Sequence, residues 1–571
     1  MYENCLIFFN KKEKIQSLIL LFLFIVVSIL EMIGVGTIPI LLSVFINPEI
    51  LKDFLPFESL VNYYLSFNLK FQLYIILSLI LFIFILKNFI IFIAIFFKVN
   101  FFLKLKLKIT KQAAKKIMSN SYRFHMSKNN AVLLKYFGTD ITRTITYLDQ
   151  SFVIIQELLI LISIAFLLFY SLPSNYIFIL IIGFILIALF YYLIKNKINK
   201  LSSLNHISIT NLMKNINQIY GSIKEIKIYN KKDYFENRIA DLQINTQKIE
   251  FFTQIINKLP KIFLELLSVI TLVIILLLFF FENNNLVNVI PTLGLVAFAL
   301  IKIIPSLSAL VAGYTQIKIH DISVAQIKDL LLSLEYKQVH QDKSFVPNFL
   351  FKDKIEIQNL NFNYETSKNI TLKNISFQIN KGDHVTIVGQ TGSGKSTLID
   401  LILGIHDKYT GNILIDGVNI SKVMEEWHKI LAYVPQQVYI FDENISNNIA
   451  FGHSSSEIDY DKMNKCIKIA ELEGYIKNLP DGLNTIVGDR GKQMSGGQLK
   501  RLGIARALYR DPEILILDEA TSEVDDLTQN KILDNLQNLK KGLTIISVTH
   551  NIKNTERANK TIKLHEGSLV L

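Results

Sequence analysis

Apolar residues crowd into the first 315 positions, in runs separated by polar, lysine-rich segments. A helix needs about 20 apolar residues to cross the hydrocarbon core of a bilayer. Runs at 15–46, 71–97, 131–171, 176–194, 262–281 and 287–314 satisfy that length, the third being apolar only from about Phe152 onward. Two segments, 98–130 and 195–258, are amphipathic, rich in Lys and free of Pro until Pro260. They predict membrane helices that run on into the cytoplasm before turning back. The opposite connections at 171–176 and 282–289 are short. The connection at 47–70 is longer, and Pro48 and Pro56 interrupt it, which predicts a short amphipathic helix along the outer membrane surface.

The pattern changes after position 334. Residues 335–351 are polar, contain Pro347 and read as a linker. Beyond them, strand-like runs such as Val385–Val388 and Ile514–Leu517 alternate with helical periodicity, the signature of an α/β domain. The 571 residues therefore divide into a six-helix α-helical transmembrane domain (1–334), the linker, and an α/β domain (352–571).

Charge refines this picture. The formal net charge is +12, from 60 Lys and Arg against 48 Asp and Glu. Lys11, Lys12 and Lys14 precede the first run, and further Lys clusters fill 98–116 and 195–232, while the opposite loops carry almost no cations. That asymmetry places the basic side in the cytoplasm, and an even number of spans returns both termini there. It accounts for the charge without nucleic acid, for which no reading motif is present. The first run is too long for a cleavable signal and reads as a retained anchor in a bacterial inner (cytoplasmic) membrane. Cys5 and Cys466 have neither metal-ligand nor redox spacing.

Candidate chemistry starts at Gly389-Gln-Thr-Gly-Ser-Gly-Lys-Ser396, a full G-x-x-x-x-G-K-[ST] match between the strand Val385–Val388 and a helical segment. Backbone N–H groups of Gly389, Gln390, Thr391, Gly392, Ser393 and Gly394 are suited to wrap phosphates, aided by the N-terminus of a predicted helix Ser396–Leu403, whose first turn includes Thr397. Lys395 is the residue to reach the β- and γ-phosphates, and the Ser396 hydroxyl is the one to bind Mg²⁺. The apolar strand Ile514–Leu517 ends in Asp518 and Glu519. Asp518 suits orientation of Mg²⁺ through water, and Glu519 suits the general base that polarises attacking water. ATP and Mg²⁺ are thus the expected ligands.

At this point the chain resembles the ATP-binding-cassette (ABC) family. Met494-Ser-Gly-Gly-Gln498 is similar to its signature sequence, with Met for the usual Leu. Tyr433-Val-Pro-Gln-Gln437 resembles the Q-loop, which implies that Gln436 is a Mg²⁺ and coupling ligand. Ser522-Glu-Val-Asp525 resembles the D-loop, with Glu523 in place of a small residue, and His550 falls at the switch-histidine position. Tyr364 stands where the family stacks an aromatic ring on adenine, and Val487-Gly-Asp-Arg-Gly491 resembles a segment typical of exporters. The resemblance implies that Ser495, Gly496, Gly497, Gln498 and Asp525 of one chain close the nucleotide held by a second. One set of motifs then calls for two chains, a homodimer being the economical choice.

Domain order and span number resemble ABC exporters. Lys87, Lys261 and Lys302 lie within or at the start of apolar runs, Lys302 with no acid within four residues on either side. Buried ammonium groups need a counter-charge. Lys261 has Glu265 at i+4, and Lys87 has Glu31 or Glu157 as possible structural partners. Pro260-Lys-Ile-Phe-Leu-Glu265, Ala299-Leu-Ile-Lys-Ile-Ile-Pro-Ser306 and Ile29-Leu-Glu31 followed by Pro39 resemble the PglK-type flippases of lipid-linked oligosaccharides. That resemblance implies that Lys87, Lys261 and Lys302 hold a lipid pyrophosphate, although Lys lacks the bidentate fork of Arg. The alternative is an exporter of another cargo: a lipid A-like glycolipid, a peptide or a drug.

Overall fold

The computed structural model describes residues 7–46, 64–128, 130–172, 174–281, 286–332, 349–364, 371–488, 494–539, 542–549, 555 and 557–570. Contacts divide the chain into two compact units, one formed by 1–119 and 127–333, the other by 120–126 and 334–571.

The first unit is built from long helices: α1 (Lys11–Ile46), α2 (Leu69–Ser119), α3 (Ile141–Ser171), α4 (Ser174–Gly221), α5 (Lys232–Phe281) and α6 (Leu286–Leu332). At 1.5 Å per residue, the 51 residues of α2 extend about 76 Å, far beyond the ~30 Å hydrocarbon layer. The 47 residues of α6 likewise overrun the apolar stretch at 287–314, an extension that apolarity alone does not mark. Among the described residues, α1, α2, α3, α5 and α6 each contain a stretch long and apolar enough to cross a membrane. The apolar part of α4 has side chains outside the described residues, as do most of the 47–70 connection and of the linker. A short helix (Asn130–Lys135) and one π-helical turn (Tyr136–Asp140) precede α3, so the third element departs from regular α-helix before its apolar part begins.

Burial in this unit runs opposite to that of a water-soluble protein. Phe22, Leu81, Phe82, Phe92 and Phe96 are all exposed, while Ser28, Glu31, Gln72 and Lys87 are buried. Apolar side chains facing outward and polar ones inward suit helices solvated by lipid, whose backbone bonds are satisfied within the helix. The interior is closed by Phe9, Phe24, Phe101, Phe102 and Phe152, whose rings meet edge to face. A second cluster packs Val35, Ile160, Ile164, Ile275, Val296 and Ala299 from α1, α3, α5 and α6.

The second unit carries two sheets. The four-stranded one is antiparallel in the order β2 (Leu372–Asn380), β1 (Lys354–Phe362), β4 (Thr410–Ile415), β5 (Val418–Asn419). The six-stranded one runs β10 (Ser568–Val570), β9 (Lys560–His565), β3 (His384–Gly389), β8 (Thr544–Thr549), β7 (Ile514–Asp518), β6 (Leu431–Val434). All its neighbouring pairs are parallel except β9 with β10. Every residue of β7 is buried, because a parallel sheet is covered on both faces. Phe351 is buried and Phe349 packs against the same core, so the chain is already part of this unit before position 352.

Candidate nucleotide site and membrane charge cluster

In an open parallel sheet, ligands bind in the crevice beyond the carboxyl ends of the strands. Strands β3, β8, β7 and β6 are neighbours, and their carboxyl ends are Gly389, Thr549, Asp518 and Val434. The phosphate-loop segment, the paired acids and the glutamine loop therefore converge, although Ser396 and Asp518 are 122 positions apart in the chain. His550 follows β8 directly but lies outside the described residues, as do Asp489, Arg490 and Gly491.

The loop 389–394 leads into helix α7 (Lys395–Ile402), whose N-cap is Gly394 with φ of +99°. A Cβ at Gly394 would sit 2.7 Å from Leu372 Cδ2 and 3.2 Å from the Thr371 carbonyl, so both sterics and φ require glycine there. At Gly389 a Cβ would press on the Leu564 carbonyl oxygen and lie 2.6 Å from Ser393 Oγ. Gln390, Thr391, Gly392 and Ser396 are exposed on the crevice-side turn, while Ser393 is buried. Ser393 Oγ is a buried oxygen with no hydrogen-bond partner among the described residues. A glycine-lined turn with an unsatisfied hydroxyl and the free N–H groups of a helix start fits an anionic oxygen ligand. Lys395 Nζ donates to the carbonyls of Gly389 (2.8 Å) and Gln390 (3.0 Å), which holds the ammonium across the mouth of the loop. Burial lowers its pKa, and the carboxylates of Glu519 and Asp518 oppose that shift. Thr397 is buried and its hydroxyl pairs with the Tyr364 hydroxyl at 3.1 Å, which draws the tyrosine against α7.

Across the crevice, burial and the neighbouring Glu519 charge raise the pKa of Asp518. Its Oδ2 accepts a long 3.5 Å hydrogen bond from the Tyr433 hydroxyl. Asp400, on α7, is pushed up to about 6 by burial and by Asp518. Gln436 Nε2 donates to Glu519 Oε2 at 2.8 Å, so the two side chains assigned to water and metal handling are already in contact. Glu519 has φ of +50°, in the left-handed region that a residue with a Cβ adopts only when its surroundings enforce it. Hard oxygen donors from Ser396, Asp518 and Gln436 suit Mg²⁺, which prefers few protein ligands and retained water.

The signature residues open helix α8 (Gly496–Tyr509). Ser495 Oγ accepts from the Gln498 N–H, and Gln498 Oε1 accepts from the Ser495 N–H at 2.8 Å, a reciprocal capping box. Both polar side chains are thereby committed to shaping the helix start. Above that start lies the carboxylate of Glu523, so close to Gly496 that any Cβ there would collide with its Oε2. Gly497 is overlain by the Glu523 carbonyl, 2.8 Å from where a Cβ would be. Asp525 caps helix α9 (Asp526–Leu539) by accepting from the Thr528 N–H at 2.9 Å, a bond that lowers its pKa.

Two features escape sequence reasoning here. The Glu523 contact brings a negative group onto the signature turn, a consequence invisible in a single substituted position. Lys500, two residues beyond Gln498, is 3% exposed and donates to the backbone carbonyls of Gln436 and Glu519. A Lys at a helix position that periodicity buries is the one signal that could have found it.

In the first unit, Glu31 of α1 binds two cations at once, Lys87 of α2 at 3.1 Å and Lys302 of α6 at 3.0 Å. Lys87 is buried and also rests over the Phe84 ring, while Lys302 remains partly exposed. The absence of an acid near Lys302 in the chain is thus misleading: its partner comes from another helix. Lys261 does not join this cluster; it is exposed and pairs with Glu265 at 3.7 Å.

A bundle of apolar-faced long helices joined to a parallel-sheet domain with a phosphate loop and paired acids defines a multi-pass membrane protein fused to an ATP-hydrolysing domain. Sequence profiles agree: one described as ABC transporter transmembrane region matches residues 17–300, and one described as ABC transporter matches residues 372–522. A Rickettsia prowazekii protein named as an export ATP-binding/permease protein is 28% identical over 488 residues, covering 83% of this chain and 82% of its own. An ATP-dependent lipid A-core flippase of Coxiella burnetii is 41% identical over 217 residues, 38% of this chain and 37% of its own. A solved bacterial Atm1-family ABC exporter with ATP bound superposes with a TM-score of 0.76 at 21% identity, covering 96% of this chain and 93% of its own. The chain is an ABC exporter half-transporter.

Proposed function

We propose that two identical copies of this chain form a flippase that uses ATP to move a lipid-linked oligosaccharide of the polyprenyl-pyrophosphate type from the cytoplasmic to the outer leaflet of a bacterial inner membrane. The observation that carries the cargo class is the Glu31 cluster. One carboxylate serves two lysines inside the membrane region, so the group bears a net positive charge. A surplus cation in lipid surroundings is stabilised by an anionic ligand, and Lys302, partly exposed beside Glu31, is the lysine such a ligand can reach. The lysine-rich helical extensions support cytoplasmic termini.

In the nucleotide site, Lys395 binds the β- and γ-phosphates and Tyr364 stacks on adenine. Ser396 and Gln436 would hold Mg²⁺, with Asp518 acting through water, and the ion would supply positive charge against the phosphates. Glu519 orients the attacking water and takes its proton, and His550 contacts the γ-phosphate. Ser495, Gly496, Gly497, Gln498 and Asp525 of the second copy close the site. Because the signature glycines serve the neighbouring nucleotide, each copy completes the other, and hydrolysis requires both.

The test is transport by purified protein in liposomes holding a labelled lipid-linked saccharide. ATP-dependent appearance of label on the far side, lost in Lys87→Ala/Lys302→Ala with ATP hydrolysis retained, supports the reading. Movement of peptides or drugs alone refutes it. Similarity to a lipid A-core flippase favours a second cargo, a phosphorylated glycolipid, which the same cations would bind. Offering the two lipids in separate liposomes distinguishes them.

A further inference from the structure

Glu519 occupies a strained backbone position, and the groups that hold it there can be named. Its N–H donates to the Val548 carbonyl of β8 at 3.1 Å. Its carbonyl oxygen accepts from the Ser522 hydroxyl at 2.9 Å, the Ser522 N–H at 3.3 Å and Lys500 Nζ at 3.3 Å. Of these donors, Lys500 also reaches the Gln436 carbonyl. Gln436 and Glu519 are the two residues whose side chains touch each other in front of the phosphate loop. One buried ammonium therefore fixes both backbones from behind while their side chains meet in front.

We propose that Lys500 is a positioning residue for ATP hydrolysis, holding the Gln436 and Glu519 backbones so that the Glu519 carboxylate stays in line with the attacking water. Lys500 touches no reacting atom. It sits on α8, whose first turn carries the signature residues, so a displacement of that turn reaches the chain's own Glu519 through a single side chain. Burial lowers the pKa of Lys500, and the carboxylates of Glu523, Glu519 and Asp518 oppose that shift. A charged donor to two carbonyls also makes stronger bonds than a neutral one. The inference rests on Glu519 acting as the general base.

The experiment uses the full-length protein in lipid nanodiscs. Lys500→Met removes the donor while keeping the stem length and apolar packing. Misplacing a reacting group by about 1 Å costs about 100-fold in rate. Lys500→Met is expected to lower kcat about that much, with affinity for a fluorescent ATP analogue within about twofold of the parent. Lys500→Gln, which restores an N–H donor, is expected to recover about tenfold of the loss. An unchanged kcat, or an equal fall in kcat and nucleotide affinity, overturns the positioning role. If Lys500→Met does not fold, the same split between kcat and affinity is read in Lys500→Gln. Glu519→Gln is measured alongside: normal hydrolysis there removes the general-base reading itself, whereas its loss beside a normal Lys500→Met sinks only the role of Lys500.

Discussion

Replacing Glu31 with Gln tests whether the membrane charge cluster is an electrostatic unit. The change keeps shape and removes the one carboxylate that Lys87 and Lys302 share. Removing one partner of a buried ion pair costs about 3–5 kcal/mol, because the remaining charge is left uncompensated. Lys87 is 3% exposed, so that full range applies to it. The Phe84 ring, 4.7 Å from its ammonium, offsets about 1 kcal/mol. Lys302 is 38% exposed and contributes no more than about 1 kcal/mol. The net expectation is a loss of about 3 kcal/mol, roughly a hundredfold in the unfolding equilibrium. The assay is denaturant or thermal unfolding in detergent, run as a double-mutant cycle with Lys87→Met. The double variant removes both charges, so it should be more stable than Glu31→Gln alone, with a coupling of about 2–3 kcal/mol. Equal stability of wild type and Glu31→Gln would refute the pairing, as would strictly additive effects in the cycle.

Glu519→Gln should reduce ATP hydrolysis by about 10³-fold, the scale of a lost general base, with nucleotide affinity preserved in an equilibrium binding assay. Gly394→Ala should abolish nucleotide binding, since a side chain at φ +99° strains the backbone and strikes Leu372; isothermal titration reads the loss. Glu523→Ala should raise apparent ATP affinity severalfold in ATPase titrations, because it removes a carboxylate from the positive start of α8. Asp400 has a folded pKa raised to about 6 from an ordinary value near 3.8, so the folded state holds its proton more tightly than the unfolded one. Its contribution to stability therefore falls as pH rises from about 4 to 6 and is level above that. Asp400→Asn should gain stability relative to wild type across that window, as followed by unfolding at stepped pH.

Much of the molecule is legible in the sequence, for reasons that differ by element. Apolar runs of bilayer length and the lysine asymmetry follow from composition along the chain, because lipid imposes its thickness on each helix separately. Glycine positions at 389 and 394 are readable because a phosphate loop demands them locally. Local pattern does not carry the extension of α6 to Leu332 or the π turn at Tyr136–Asp140, where packing overrides apolarity as a boundary.

What tertiary structure alone decided is which charges meet. Glu31, Lys87 and Lys302 lie on three helices, and none of the four residues on either side of Lys302 is an acid. In the second unit, strand order places β7 between β6 and β8, which brings Gln436 to Glu519 and lets Lys500 span both. Sequence by itself determined the kinds of element and the chemistry each could carry, since these depend on the length and residue type of one segment. Partner choice depends on distances of a few ångströms between segments far apart in the chain, and only packing sets those.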